Sequence, residues 1–178
     1  MTTTDTVANV KDKIRSVKDF PKPGIIFRDI TTALKDAGTL KEMIDYLCDQ
    51  FKNEKIDYIA GIESRGFIFG MPMAYKLNAG FVPIRKPNKL PAETISQEYE
   101  LEYGTDKIEV HVDAIKEGDN VLIVDDLLAT GGTAEAACKL IKKTGGNLVG
   151  IAFLIELEDL KGREKFDKDL KIVSMLKY

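Results

Sequence analysis

Two stretches, NVLIV (residues 120–124) and NLVGIAFLI (residues 147–155), are almost wholly aliphatic, β-branched or aromatic, with none of the polar–apolar alternation of a half-solvated strand. Successive strand residues point to opposite sides of a sheet, so a strand without alternation is apolar on both faces and must be covered on both. Parallel sheets meet that demand, because each crossover is long enough to carry a helix. The sequence between the two runs agrees: Ala134 to Lys143 reads as a helix closed by Gly145-Gly146. Upstream the alternation repeats, with IDYIAGI (56–62) as a strand, FIFGMPMAYKL (67–77) as a helix with a Gly-Met-Pro irregularity, and AGFVPI (79–84) as a strand. Before them Leu40, Met43, Ile44, Leu47 and Phe51 recur at helical spacing after Thr39, read as an N-cap with Glu42 three residues on. The expected fold class is α/β: a central, mostly parallel sheet flanked by helices. At 178 residues and 44% hydrophobic composition, the chain fits a single domain with one well-filled core.

Two segments fall outside the sheet. Residues 1–35 contain DFPKPGIIFRDITT, whose prolines and glycine favour a loop-rich N-terminal cap over a strand. Residues 86–112 begin as a polar, Pro-containing loop and end as two alternating runs around Gly104-Thr105-Asp106, a hairpin that would serve as a flexible lid. His111, the sole histidine, continues the alternating Ile108-Glu109-Val110 and reads as a surface strand residue. No G-x-S-x-G elbow accompanies it, so a Ser/His/Asp triad is not indicated.

Charge and cysteine usage exclude other classes. A net charge of -3 gives no basic footprint for nucleic acid. Cys48 and Cys138 have no metal-ligand spacing and read as buried thiols of a reducing compartment. The N-terminus lacks the apolar segment of a signal peptide, and no apolar run approaches the ~18 residues of a membrane span. The expectation is a cytoplasmic protein with neither nucleic-acid nor membrane partners.

The stretch VLIVDDLLATGGTAEAA (121–137) joins two features with opposed electrostatics. Asp125 and Asp126 end the apolar run, yet Ala129-Thr130-Gly131-Gly132-Thr133 makes the kind of turn whose amides cradle phosphate at a helix start. Acids that merely cap a loop would need no such turn beside them. The turn is not a Walker A loop, since no Lys precedes Thr133, and it is not G-x-G-x-x-G. A 5-phosphoribosyl group reconciles the two features. Its phosphate fits the turn, its ring hydroxyls donate to the carboxylates, and the carboxylates stabilise positive charge developing at the anomeric carbon.

VLIVDDLLATGGT resembles the phosphoribosyl pyrophosphate motif of the type I phosphoribosyltransferases. PGIIFRDIT (23–31), ESRGFIFG (63–70), the segment ending ELEYGTD (100–106) and LKGREKF (160–166) resemble the adenine-specific members of that family. The resemblance implies a transferase that joins adenine to the phosphoribosyl group of phosphoribosyl pyrophosphate, giving AMP and pyrophosphate. It implies Arg65 in a pyrophosphate loop, and Arg85, Lys86 and Lys89 as a second basic cluster acting in part across a homodimer interface. Adenine would meet Ile26, Phe27 and the backbone of Arg28, with Leu127 under the purine. Glu102 would move the imidazole proton as general acid or base, and Tyr103 would close the lid over the sugar. Mg²⁺ is implied as a cofactor held mainly by the substrate, without dedicated protein ligands, touching Asp125 and Asp126 through water. Two alternatives stand beside this reading: a phosphoribosyltransferase for a 6-oxopurine, and a phosphoribosyl-pyrophosphate-sensing regulator. The first typically discriminates its base with a Lys after the sheet strand, where the segment IELEDLKGREKF resembles the adenine-type form instead, and the second needs a DNA-binding domain and a basic face.

Overall fold

The computed structural model describes residues 3–100 and 104–178. In chain order, helix α1 (Thr3–Lys13) leads into strands β1 (Arg15–Lys18) and β2 (Ile26–Asp29), a short helix α2 (Thr31–Leu34) and the long helix α3 (Ala37–Phe51). The alternating portion follows as β3 (Tyr58–Ile62), α4 (Gly66–Leu77) and β4 (Gly80–Ile84). Strands β5 (Thr94–Glu100) and β6 (Thr105–His111) precede β7 (Asn120–Leu128), α5 (Gly132–Lys143), β8 (Asn147–Glu156) and β9 (Ile172–Lys177).

Five strands form one parallel sheet in the order β4-β3-β7-β8-β9. The unalternating runs are its centre. Leu122 and Val124 pack with α3 and α4 on one side, while Val121 and Ile123 pack with α5 on the other, all four fully buried. In β8, Ala152 and Leu154 face the first layer and Ile151 and Phe153 the second. Each of these side chains except Ala152 contributes roughly 1.5–3 kcal/mol over leaving it in water, so a polar residue at any of them is costly. Pro72 lies inside α4, as the Gly-Met-Pro sequence foretold.

The hairpin β5–β6 is present, registered from Thr94 opposite His111 to Glu100 opposite Thr105. It is fastened to the end of β4 by reciprocal backbone bonds between Arg85 and Glu109, and Ile108 and Val110 bury into the core layer of α5. His111 ends β6, half-buried, and its Nε2 accepts from the Ala92 amide at 3.4 Å. Both cysteines are buried free thiols, pushed up by desolvation to about 11 for Cys48 and about 12 for Cys138, which removes thiolate chemistry. Among the described residues no helix is long and apolar enough to cross a membrane.

Two expectations need correction. The cap of α3 is Asp36, not Thr39: its Oδ1 accepts from both the amide and the hydroxyl of Thr39 at 2.8 Å, so the helix starts earlier and Thr39 is buried within its first turn. Glu42 turns away from any capping box and accepts from Asn9 of α1 at 2.6 Å. The N-terminal cap is also more regular than a loop. Strands β1 and β2 pair antiparallel, and the Pro-Gly run occupies only the connection, where Gly24 (φ 87°) donates to Asp19 at 2.7 Å. Four-residue strands are too short for their period to stand out against two prolines.

Candidate active site

Strands β4, β3 and β7 are neighbours and parallel, so the segments leaving their carboxyl ends converge on one edge, where parallel sheets bind ligands. The β3 exit carries Glu63, Ser64 and Arg65, the β4 exit Arg85 and Lys86, and β7 the acid pair and the glycine turn. Helix α4 starts very close to β7. A Cβ on Gly66 would stand 2.5 Å from the Val124 carbonyl, so only glycine allows the approach. That approach brings Arg65 to the acids, with its Nε 3.0 Å from Asp126 Oδ2.

The acid pair is under-neutralised. Asp126 is 5% exposed and has Arg65 as ion-pair partner, while Asp125 uses Oδ1 to accept the Asp126 amide at 2.8 Å. Burial first, and then the adjacent Asp126 charge, push the Asp125 carboxyl well above the ordinary carboxylate range, with Arg65 opposing. Burial also raises Asp126, against the pull of Arg65. A site that keeps two acids around one guanidinium is prepared for a ligand that brings donors or positive charge.

Beyond the acids, β7 continues to Leu128 and turns through Ala129–Gly131 into α5. Gly131 holds a left-handed φ of 82° and caps the helix. The turn is braced from behind: a Cβ on Gly162 would meet the Ala129 carbonyl at 2.1 Å, and one on Gly131 would meet the Gly162 carbonyl at 2.6 Å. Gly162 is itself held by a latch. Arg163 donates Nε to Glu156 Oε1 at 3.0 Å, Nη2 to Glu156 Oε2, and Nη1 to the Ile172 carbonyl at 3.0 Å. Glu156 is 5% exposed, and the guanidinium hydrogen bonds draw its carboxyl below the ordinary range.

The basic cluster is engaged within the chain. Arg85 donates Nε (3.1 Å) and Nη2 (2.9 Å) to Glu63, which also accepts the Lys86 amide at 3.0 Å, and Arg85 Nη1 donates to the Lys89 carbonyl at 3.0 Å. Lys86 Nζ donates to Asp106 at 2.8 Å, as does the Tyr99 hydroxyl at 3.1 Å. Tyr99 also lies over the start of α5, with Cδ2 3.8 Å from where a Gly132 Cβ would stand. The hairpin therefore sits on the glycine turn and touches the basic cluster, through residues that sequence reasoning did not single out.

The cap supplies an apolar wall. Phe27 stacks edge-on with Phe20 at 5.2 Å, and the Arg65 guanidinium lies 5.9 Å from the Phe27 ring centroid. Ile26 is 47% exposed beside them, although an isolated core residue of its type would be covered. Leu127 is partly buried against the α3–α4 core layer. Phe27, Arg65 and Asp126 thus form a continuous series from cap to acids. Glu102 and Tyr103 lie outside the described residues. Among the described residues no three His, Cys, Asp or Glu side chains are grouped to hold a metal ion.

Known proteins share this fold and much of its sequence. The phosphoribosyl transferase domain family matches residues 31–177. The adenine phosphoribosyltransferase of Nostoc punctiforme is 57% identical over 172 residues, covering 96% of this chain and 99% of its own length. That of Cyanothece sp. is 59% identical over 170 residues, with 96% and 99% covered. The crystal structure of adenine phosphoribosyltransferase from Thermoanaerobacter pseudethanolicus superposes with a TM-score of 0.93 at 53% identity, covering 97% of this chain and 99% of that one. The Saccharomyces cerevisiae enzyme, complexed with an imino-altritol bisphosphate and adenine, gives 0.91 at 41% identity, with 97% and 99% covered. Fold, motif and near-complete coverage agree, and the chain belongs to the phosphoribosyltransferase family, among its adenine phosphoribosyltransferases.

Proposed function

We infer that the protein transfers the 5-phosphoribosyl group of phosphoribosyl pyrophosphate to adenine, releasing pyrophosphate and forming AMP, a purine-salvage reaction. The observation that carries this is the under-neutralised Asp125–Asp126 pair set between a glycine phosphate turn and an apolar cap. The 5-phosphate lies on the amides of Ala129 to Thr133 at the N-terminus of α5, where the helix dipole of about +0.5 charge favours an anion. The ribose hydroxyls donate to Asp125 and Asp126. As the bond from the anomeric carbon to pyrophosphate breaks, the electron pair leaves with the pyrophosphate and the two carboxylates face the developing ribosyl cation. Arg65, Lys86 and Lys89 stabilise the departing charge, with Arg85 reaching it from its own chain or a partner copy.

Adenine stands against Ile26 and Phe27, read along its edge by the Arg28 backbone, with Leu127 beneath it. Its imidazole nitrogen bonds to the anomeric carbon, and the proton that this ring must shed passes to Glu102. The hairpin closes as a lid, with Tyr103 excluding water that would otherwise capture the cation. Two carboxylates served by one guanidinium leave excess negative charge that fits a hydrated Mg²⁺ carried in by the substrate, approached by Asp125 and Asp126 through water. When bound, that ion neutralises pyrophosphate oxygens. A homodimer is the proposed assembly, supported by the exposed apolar stripe Ile68, Met71 and Tyr75 along α4. Its proposed setting is the cytoplasm, which keeps thiols such as Cys48 and Cys138 reduced.

A base screen tests the reaction: purified protein with Mg²⁺, phosphoribosyl pyrophosphate and one base at a time. Adenine is the base turned over, with pyrophosphate released in equal amount. Preference for hypoxanthine, guanine or xanthine would overturn the adenine assignment, and ligand binding without turnover of any base would favour a sensing role.

A further inference from the structure

Among the described residues the β1–β2 hairpin forms a two-stranded sheet of its own, with no ladder to the central sheet. Side chains must therefore fix where Ile26, Phe27 and Arg28 stand relative to the acid pair. One such attachment is Arg28, whose guanidinium carbon lies 3.9 Å from the ring centroid of Tyr178 while its Nη1 donates to Ser16 at 2.6 Å. Among the described residues, Arg28 Nε is the buried side-chain nitrogen left without a hydrogen-bond partner. The guanidinium is thus held between the Ser16 hydroxyl of its own hairpin and the face of the Tyr178 ring, and the ring is its contact outside the hairpin.

The ring is anchored on the sheet side. Strand β9 is parallel to its neighbours, so the residue after it emerges at the same carboxyl edge as the acids. The Tyr178 amide donates to the Glu156 carbonyl at 3.0 Å, and its carbonyl accepts from Glu158 at 2.9 Å. A second cation comes from the cap: Lys11 of α1 places Nζ 4.7 Å from the ring centroid and donates to the Lys177 carbonyl at 3.1 Å. Tyr178 thus joins two cations of the N-terminal cap to the ends of β8 and β9.

We propose that Tyr178 is a positioning residue for the base: its ring, by holding Arg28, sets the height of the Ile26–Arg28 segment over the acid pair, and so governs adenine affinity without touching the phosphoribosyl group. The proposal rests on the reading that Ile26 to Arg28 hold adenine. It predicts an effect on one substrate only, carried by the aromatic face and not by the hydroxyl.

The experiment is steady-state kinetics of the full chain with Mg²⁺, varying adenine and phosphoribosyl pyrophosphate in turn, for Tyr178→Leu, Tyr178→Phe, Lys11→Ala and Phe27→Ala. Tyr178→Leu is expected to raise the adenine KM about tenfold, as the loss of stacked cations implies, with the phosphoribosyl pyrophosphate KM within about twofold of wild type. Tyr178→Phe restores the wild-type adenine KM. Lys11→Ala, at an exposed position that leaves the fold intact, raises it about two- to threefold. Equal rises in both KM values for Tyr178→Leu and Lys11→Ala, or no rise in either, would overturn the proposal, as would a Phe variant as impaired as Leu. Phe27→Ala separates the two levels. If it raises the adenine KM while Tyr178→Leu does not, the positioning role falls and the base site stands; if it leaves the adenine KM unchanged, the base site falls and the proposal with it.

Discussion

Neighbouring strands of one sheet carry buried and half-buried carboxylates to the same edge and treat them in opposite ways. Glu156, at the end of β8, is opposite Leu128 in the ladder and meets Arg163 through two hydrogen bonds, so its charge is matched and its carboxyl is held below the ordinary range. Asp125 and Asp126, on β7, share one guanidinium, and both carboxyls are raised. Removing charge from water is costly unless a partner returns what hydration supplied. The matched carboxylate therefore reads as architecture, holding the loop that braces the glycine turn. The unmatched pair reads as capacity kept for a ligand, at a cost to the ligand-free fold.

The largest expected effect falls on chemistry. Changing both Asp125 and Asp126 to Asn removes charge-assisted bonds to the ribose and the field facing its cation, each change being worth roughly 1.5–3 kcal/mol. The double variant is expected to lose about two decades or more of kcat/KM with its fold intact. Steady-state rates beside a circular-dichroism melt check both parts, and a wild-type-like kcat/KM would remove the sugar-diol assignment.

On the other side of the comparison the expected effect is on stability. Arg163→Ala leaves Glu156 buried with its charge unmatched. Breaking a fully buried pair costs about 3–5 kcal/mol, and because the Arg163 side chain is 39% exposed the expected loss is nearer 2 kcal/mol, or about 4–8 °C in Tm. Differential scanning calorimetry reads it. A Tm unchanged from wild type would show that the latch contributes nothing.

The contrast between the two strands was only half legible in the sequence. The sheet was readable because burial on both faces erases alternation, leaving Val121 to Val124 as an unbroken apolar run. The acids were readable because Asp125-Asp126 ends that run and a Thr-Gly-Gly-Thr turn follows directly. The latch was missed, since the segment after Leu154 was read only for the type of base. A signal was present: Glu156 interrupts an apolar strand at its end, a buried acid there demands a cation, and Arg163 is the first arginine after it. Asp36 as the cap of α3 is a local contact with Thr39 three residues on, whereas Gly162 behind the glycine turn and Tyr178 against Arg28 depend on which segments meet in three dimensions. Local pattern holds little of that information.

The most direct test of the central claim is the pH dependence of urea unfolding for the ligand-free wild type, Asp125→Asn and Glu156→Gln. The signs follow from linkage. A carboxyl raised in the folded state lowers stability as pH rises from its unfolded pKa of ~3.9 towards its folded value, after which the deficit is constant. Asp125→Asn escapes that loss, so it is expected to be the more stable protein near neutral pH, with the advantage closing as pH falls into the ordinary carboxylate range. A carboxyl lowered in the folded state contributes stability above its unfolded pKa of ~4.3, lost as pH falls through the folded value. Glu156→Gln is therefore expected to be less stable than wild type near neutral pH, with the deficit closing in acid. Opposite signs for the two variants at neutral pH would bear out the division between a matched and an unmatched edge, and two losses of the same sign would contradict it.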